Sequence, residues 1–391
     1  MHYRFTPEQE AFRERVRSFI ADNWAPPPPT ARPGDEATDG AERAYEKSLA
    51  KNGWLTMAWP KEYGGLGASH MEQLLFREES AFAGSPGGGG QGISMVGPCL
   101  MVHGREDQKR EHLPKIATGE VQWTQGFSEP GSGSDLASLQ TRAVRDGDDF
   151  VLNGQKIWTS GAHHADWIHI LTRTNPDAPK HRGISYFLVD MKTPGITVRP
   201  LINMVGDHEF NEVFFEDVRV PASNMLGEEN RGWYVGATLL DFERSGVTWS
   251  AGARRSIRDL ARYARDTRYG ESKLLDRDQV RTGLADLRVA TEASRLLSYR
   301  VVWMQSRNLI PNYEASMSKA FGSELSQKVA AFGMTMIGLG SQRIDPADPH
   351  APLKGSIGRS YLRTVPATIA AGTSEIQRNI IATRGLGLPR G

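Results

Sequence analysis

Residues 149–161 read DFVLNGQKIWTSG. Apolar and polar positions alternate on both sides of Asn153–Gly154, the period of a half-buried strand. Asn-Gly between two such runs suits a two-residue turn, because both residues tolerate positive φ. The stretch predicts a β-hairpin with a type I′ turn. Further strand-like runs follow in WIHILTRT (167–174), GISYFLVDM (183–191), GITVRPL (195–201) and NEVFFEDVRVP (211–221). No helical period separates them. Short strands joined by turns predict an antiparallel sheet or small barrel and argue against a Rossmann unit.

On either side the period changes to that of helices. Thr6-Pro7-Glu8-Gln9 supplies a hydroxyl cap, a proline at the first position and a glutamine three residues after the cap. Phe12, Val16, Phe19 and Ile20 then recur at helical spacing. Further helices are expected over 41–51, 70–83, 93–103 and 107–118, with APPPPTARPGDEATDG (25–40) as a loop. Beyond the strands, long amphipathic segments near 231–267, 276–307, 312–338 and 374–383 predict an antiparallel bundle. The expected fold class is α+β: an N-terminal helical domain (1–120), a middle antiparallel sheet or barrel domain (121–228) and a C-terminal four-helix bundle (229–391).

The chain has 391 residues, 39% of them hydrophobic, and a formal net charge of +1. That balance attracts neither nucleic acid nor an anionic membrane. One cysteine, Cys99, excludes an intrachain disulfide framework and fits a reducing compartment. The charged N-terminal pattern lacks the apolar core of a signal peptide, and no apolar run is long enough to span a bilayer. A cytoplasmic protein without membrane insertion is expected.

Several segments carry possible chemistry. In FSEPGSGSDL (127–136), Gly131 and Gly133 let the backbone approach a ligand, and Ser128 and Ser134 offer hydroxyls. Trp158-Thr159-Ser160 sets an indole beside hydroxyls, an arrangement that packs on a flat aromatic group. His163, His164 and His169 lack a zinc-ligand set, so no metal is expected. Gly87–Gly90 has no following lysine and Ser/Thr pair, and no G-x-S-x-G elbow occurs. In TIAAGTSEIQRN (368–379) a Gly-Thr-Ser turn feeds a helix, yet no acid precedes it.

The order WPKEYGGLG (59–67), FSEPGSGSDL, DFVLNGQKIWTSG, LLDFER (239–244) and AGTSEIQRNIIATRGLGLPR (371–390) closely resembles the acyl-CoA dehydrogenase family over essentially the whole chain. The resemblance implies FAD as cofactor, α,β-desaturation of an acyl-CoA thioester, electron-transfer flavoprotein as acceptor and a homotetramer or homodimer. It places Phe127, Ser128 and Ser134 at the flavin ring, Ser134 also at the substrate, and Trp158, Thr159 and Ser160 over the flavin. Thr373 and Glu375 match the family's C-terminal G-T-x-[EQ] motif beside FAD. The family's R-x-x-F-G segment, which reaches a neighbouring subunit's FAD, here reads RDTRYG, so Arg265 and Arg268 both qualify. Where the family has glutamine in Q-x-x-G-G, this chain has Thr335.

Many relatives carry the catalytic glutamate directly before the C-terminal Gly-Thr; here that residue is Ala371. A second group, of isovaleryl and long-chain type, carries it in an L-x-x-E-R segment on the first long helix of the bundle. LLDFER then supplies Glu243 as base, with Arg244 on the CoA side. Leu239, Glu243, Gly246, Val247 and Ser250 share a lane if one helix runs through them, and its small residues leave room for an acyl chain. Ala371 keeps a backbone N–H for the thioester carbonyl, with Gly372 beside it. Two other readings are a non-catalytic partner subunit of a mixed tetramer and a flavin-dependent monooxygenase.

Overall fold

The structure is a computed structural model that describes residues 4–28, 30–32, 35–88, 90–242 and 245–389, the side chains of 238–242 excepted. The helices in chain order are α1 (Pro7–Asn23), α2 (Glu36–Lys51), α3 (His70–Ala83), α4 (Gly97–His103), α5 (Glu106–Ala117), α6 (Gly232–Phe242), α7 (Val247–Asp266), α8 (Asp278–Gln305), α9 (Tyr313–Ile337), α10 (Ser356–Thr364) and α11 (Ser374–Ile380). Between α5 and α6 run β1 (Trp123–Gly126), β2 (Arg142–Asp146), β3 (Asp149–Lys156), β4 (Trp167–Arg173), β5 (Ile184–Asp190), β6 (Ile196–Ile202) and β7 (His208–Pro221). Helical, sheet and helical regions thus succeed one another as expected. Spatially the chain forms two compact units, one from 1–32, 68–87 and 244–391, the other from 33–67 and 88–243.

Local signals account for many element ends. Thr6 caps α1 and Ser69 caps α3, each in a reciprocal capping box with Gln9 and Glu72. Gly84, at φ +78°, stops α3 in a left-handed C-cap. Pro98 sits where a π-helical turn over Gly92–Val96 passes into α4, so its missing N–H falls at an already irregular point of the helix.

In the sheet unit the strand order is β1-β4-β2-β3-β7-β6, with β5 also paired to β4. Most pairs are antiparallel, but β1 runs parallel to β4, so the sheet is mixed. β1 arrives from α5 rather than through a hairpin, and nothing in its four residues encodes its direction. The Asn153–Gly154 hairpin is a correction. The chain does not turn there: β3 continues through both residues and pairs with β7, its register shifting between Leu152 and Gly154. Asn153 exchanges hydrogen bonds with the backbone N–H and side chain of Asp217, and a Cβ on Gly154 would meet Thr141 Cα at 2.7 Å. Asn-Gly here serves a bulge and a close strand approach. The turn falls earlier, at Gly147–Asp148 between the paired Asp146 and Asp149, with φ +63° at Gly147.

One core of this unit gathers Trp59, Leu100, Leu113, Trp123, Leu171 and Tyr186; a second gathers Phe150, Leu152, Ile168, Phe187 and Phe215. In the helical unit α7, α8 and α9 pack through Leu260, Leu284, Leu325 and Val329, joined by Ile357 of α10. Helix α10 is short but amphipathic, and it is not among the helices expected from the sequence. The single helix expected over 231–267 is also corrected: α6 ends at Phe242 and α7 starts at Val247. Gly246 at φ +66° caps α7, and the Ser245 carbonyl accepts from Ser318 Oγ at 2.8 Å. With that carbonyl engaged by another helix, the lane from 239 to 250 does not follow one helix face. No helix among the described residues is long and apolar enough to cross a membrane.

Candidate active site

The sheet unit holds six of the expected ligand-binding residues. Phe127 follows β1 and is half-buried, its ring edge-on to His169 and Tyr186 at 5.3 and 6.1 Å between centroids. The Phe127 carbonyl accepts from Lys156 Nζ (3.1 Å), and the Ser128 carbonyl accepts from Ile157 N–H (2.9 Å). In the glycine loop Ser134 is exposed, whereas Ser132 is buried and donates to the Asp135 carbonyl at 2.8 Å. Ser132, which sequence reasoning passed over, therefore shapes the loop and leaves Ser134 open to a ligand. A cavity of about 440 Å³ lies beside it, lined by Glu129, Gly131, Ser132, Gln140 and Gln155 among others.

Beneath the loop is a buried ion pair. Lys156 Nζ donates to Glu129 Oε1 at 2.8 Å, and Glu129 also accepts from the N–H groups of Gln140 and Thr141. Burial pushes the Lys156 ammonium down to about 8 despite the carboxylate. Burial works to raise the Glu129 carboxyl, but the Lys156 charge and hydrogen bonds hold it below the ordinary value. A lysine at an inward strand position was a legible sign of such a pair, since buried charges need partners.

Trp158 adopts φ +59° and leaves its indole 56% exposed. Its neighbour Thr159 is fully buried, and Thr159 Oγ1 has no hydrogen-bond partner. Ser160 is half-buried and its carbonyl accepts from Thr124 Oγ1. An open indole beside an orphaned buried hydroxyl fits a polar, flat aromatic group, and isoalloxazine is one.

Asn211 holds this segment in place, and no motif announced it. Its backbone pairs with Thr159 in both directions, and its Nδ2 donates to the Thr159 carbonyl (3.1 Å) and to His163 Nδ1 (3.0 Å). Its Oδ1 accepts from His208 Nε2 at 2.8 Å, and the His163 and His208 rings stack at 3.9 Å. Protonating His163 Nδ1 would set two donors against each other. Burial and the charges of His164 and His208 push His163 down to about 4, and burial pushes His169 down to about 3. The unfolded chain takes up these protons near an ordinary pKa of about 6.5. Stability is therefore full above that value and falls as pH drops from about 6.5 toward 4. H163Q is expected to flatten this decline, read from urea midpoints at roughly pH 7 and pH 5; an unchanged decline would remove His163 as its source.

The other expected residues lie in the helical unit. Arg265 is exposed and forms a two-point pair with Asp266 at 2.8 and 3.1 Å, while Arg268 is exposed in a two-residue strand. Thr373 caps α11, its Oγ1 accepting from Ile376 N–H, and Glu375 is exposed in the first turn. Ala371 and Gly372 precede it at φ +53° and +86°. Glu243 and Arg244 lie outside the described residues. Among the described residues no group of three or more His, Cys, Asp or Glu side chains could hold a metal ion.

A mixed sheet flanked in sequence by helical regions, with a glycine loop and an open indole beside its strands, agrees with the acyl-CoA dehydrogenase fold that the motifs imply. The family's N-terminal, middle and C-terminal domain models match residues 6–120, 124–218 and 230–386. The chain belongs to the acyl-CoA dehydrogenase family and is an acyl-CoA dehydrogenase; the family is FAD-dependent. It is 38% identical to acyl-CoA dehydrogenase FadE26 of Mycobacterium tuberculosis over 402 aligned residues, covering 100% of this chain and 99% of that one. Among solved structures it is similar to the ChsE4-ChsE5 complex from Mycobacterium tuberculosis (37% identity, TM-score 0.91, 100% of both chains). It also resembles the Tcur3481-Tcur3483 steroid acyl-CoA dehydrogenase (36% identity, TM-score 0.89, 100% of both chains).

Proposed function

We propose that the chain desaturates an acyl-CoA thioester between its α and β carbons, with Glu243 as the base. The observation that carries this reading is the end-to-end likeness to named acyl-CoA dehydrogenases in a chain whose Gly-Thr turn is preceded by alanine. Ala371 has no side chain that takes a proton, and the resemblance of LLDFER to the L-x-x-E-R segment of the second group of relatives supports Glu243 in that role. Glu243 removes the α-proton, and the Ala371 N–H donates to the thioester carbonyl as negative charge builds on it. FAD, when bound, supplies the acceptor for the β-hydride. Phe127, Ser128, Trp158, Thr159 and Ser160, with Thr373, Glu375 and one of Arg265 or Arg268, are the residues that would hold it. Ser134, Arg244 and Gly372 would meet the substrate. Electron-transfer flavoprotein is the proposed acceptor, a homotetramer or homodimer the proposed assembly and the cytoplasm the proposed location. The proposed domain boundaries fall at 120/121 and 228/229.

One relative is described as a steroid enzyme, so a polycyclic acyl group is the first substrate class to test, with straight and branched chains beside it. Anaerobic titration of the purified yellow protein against all three classes should bleach the flavin with at least one. A second reading is supported by two similar structures that are each described as a pair of chains: this chain as one partner of a mixed tetramer. A protein that purifies colourless or unstable alone, and turns yellow and active only with a second homologous chain, would favour it. A flavin that no acyl-CoA bleaches anaerobically, together with turnover that needs an external reductant and oxygen, would instead indicate a monooxygenase.

A further inference from the structure

Ala371 occupies the left-handed region of backbone space, where a side chain crowds the following carbonyl. Gly372 follows at φ +86°, where any other residue is strained and its Cβ would have to displace Gln377 Nε2, 2.5 Å away. A strained alanine persists only where its surroundings hold it. The hold comes from α9 and α11. Lys319 Nζ donates to the Gly372 carbonyl at 2.7 Å and to the Ala367 carbonyl at 3.1 Å. Gln377 Nε2 donates to the Ala371 and Gly372 carbonyls, each at 3.3 Å. Two turns along α9, Gln327 Nε2 secures the carbonyls of Thr364 and Val365 and the hydroxyl of Thr368. One face of α9 therefore draws the carbonyls of the irregular segment 364–372 inward.

In a trans peptide the N–H points opposite its carbonyl. With the Ala371 and Gly372 carbonyls turned toward Gln377 and Lys319, the N–H groups of Gly372 and Thr373 face the other way. The φ of Ala371 then sets how the preceding amide, which carries the Ala371 N–H, stands against the fixed Gly372. If Ala371 relaxed to negative φ, that N–H would swing relative to α11.

We propose that Lys319 is a positioning residue for the reaction, holding Ala371 in its left-handed conformation by clamping the carbonyls of Ala367 and Gly372, so that the Ala371 N–H is aimed at the thioester oxygen. This rests on the proposed desaturase reading. Lys319 acts on the Ala371 N–H only through the backbone conformation, since the carbonyls it binds belong to the peptides of Thr368 and Thr373.

The test uses the FAD-loaded enzyme and a chromophoric enoyl-CoA thioester whose absorption moves to the red when its carbonyl is polarised. In K319M the red shift should be lost and kcat should fall on the order of 10²-fold, with KM and FAD content unchanged. K319R, which restores donors and charge, should recover most of both. Glycine is at ease at positive φ, so the same K319M change made in an A371G background should cost much less than in the parent. If K319M does not fold, K319R and K319Q in the two backgrounds make the same comparison. An equal cost in both backgrounds, or a wild-type red shift in K319M, overturns the proposal. A parent enzyme that no acyl-CoA bleaches would defeat the desaturase reading, while the effect of K319M in the two backgrounds on the red shift would still be readable.

Discussion

Glu243→Gln is expected to yield a folded, yellow protein whose flavin acyl-CoA bleaches slower by a factor on the order of 10³ or more. Glutamine keeps the shape and the hydrogen-bonding ends of glutamate but takes no proton from carbon. The loss should appear in the chemical step, so substrate binding, followed by difference spectra, should stay close to the parent. The expectation depends on the absence of another base in the motif where many relatives carry theirs: Ala371 is an alanine. A carboxylate works here only if substrate and flavin desolvate it and raise its pKa. The parent should therefore gain rate as pH rises through the base's pKa in the complex, and that ascending limb should vanish in the variant. Near-normal bleaching by E243Q would remove Glu243 from the chemistry.

Glu78→Ala should cost about 3–5 kcal/mol of stability in the helical unit, the range for breaking a buried ion pair from one side. The Glu78 carboxylate on α3 is fully buried and reached from three helices. It accepts from Arg254 Nη1 of α7 at 3.1 Å, Tyr299 Oη of α8 at 2.6 Å and Arg295 of α8, while Arg13 of α1 stands 3.6 Å away. Burial and the Glu78 charge push the Tyr299 phenol well above its ordinary value. Burial alone would lower Arg295, but its hydrogen bond to Glu78 outweighs that and raises it. Removing the carboxylate leaves three guanidinium groups and a phenol facing one another, the arginines being largely shielded from water. E78Q keeps the hydrogen-bond acceptor without the charge and should fall between the parent and E78A. Urea unfolding reads the difference, and a loss below about 1 kcal/mol for E78A would show that the arginines find water or other partners.

Where the backbone's local chemistry decides an outcome, the sequence is a sound guide. The Thr6 cap forms as expected, and the Ser69 cap and Gly84 stop likewise depend on side chains and φ values within four residues. The misread positions have the opposite character. Asn153–Gly154 has the residues of a turn, but Asp217 and Thr141, distant in sequence, pull it into a bulge. The run from 231 onward has helical periodicity, but Ser318 takes the Ser245 carbonyl where α7 begins. β1 runs parallel to β4 because its neighbour is chosen by packing, which four residues do not encode.

The candidate site divides the same way. Phe127, Ser128, Ser134, Trp158, Thr159, Ser160, Thr373 and Glu375 are proposed because they sit in motifs of fixed spacing. Asn211, Lys319 and Gln377 carry no such signal, since each acts on a backbone atom many residues away or through a strained turn. By itself the sequence determined the family, the helix–sheet–helix order and the absence of an acid before Gly372, because these are written in residue identity and short spacing. Tertiary structure alone decided that a lysine on α9 holds the turn at Ala371, that Asn211 holds Thr159 and that Glu78 gathers arginines from α7 and α8. Hydrogen bonds and buried charges are satisfied by whichever groups the fold brings within about 3 Å, and no local pattern records that distance.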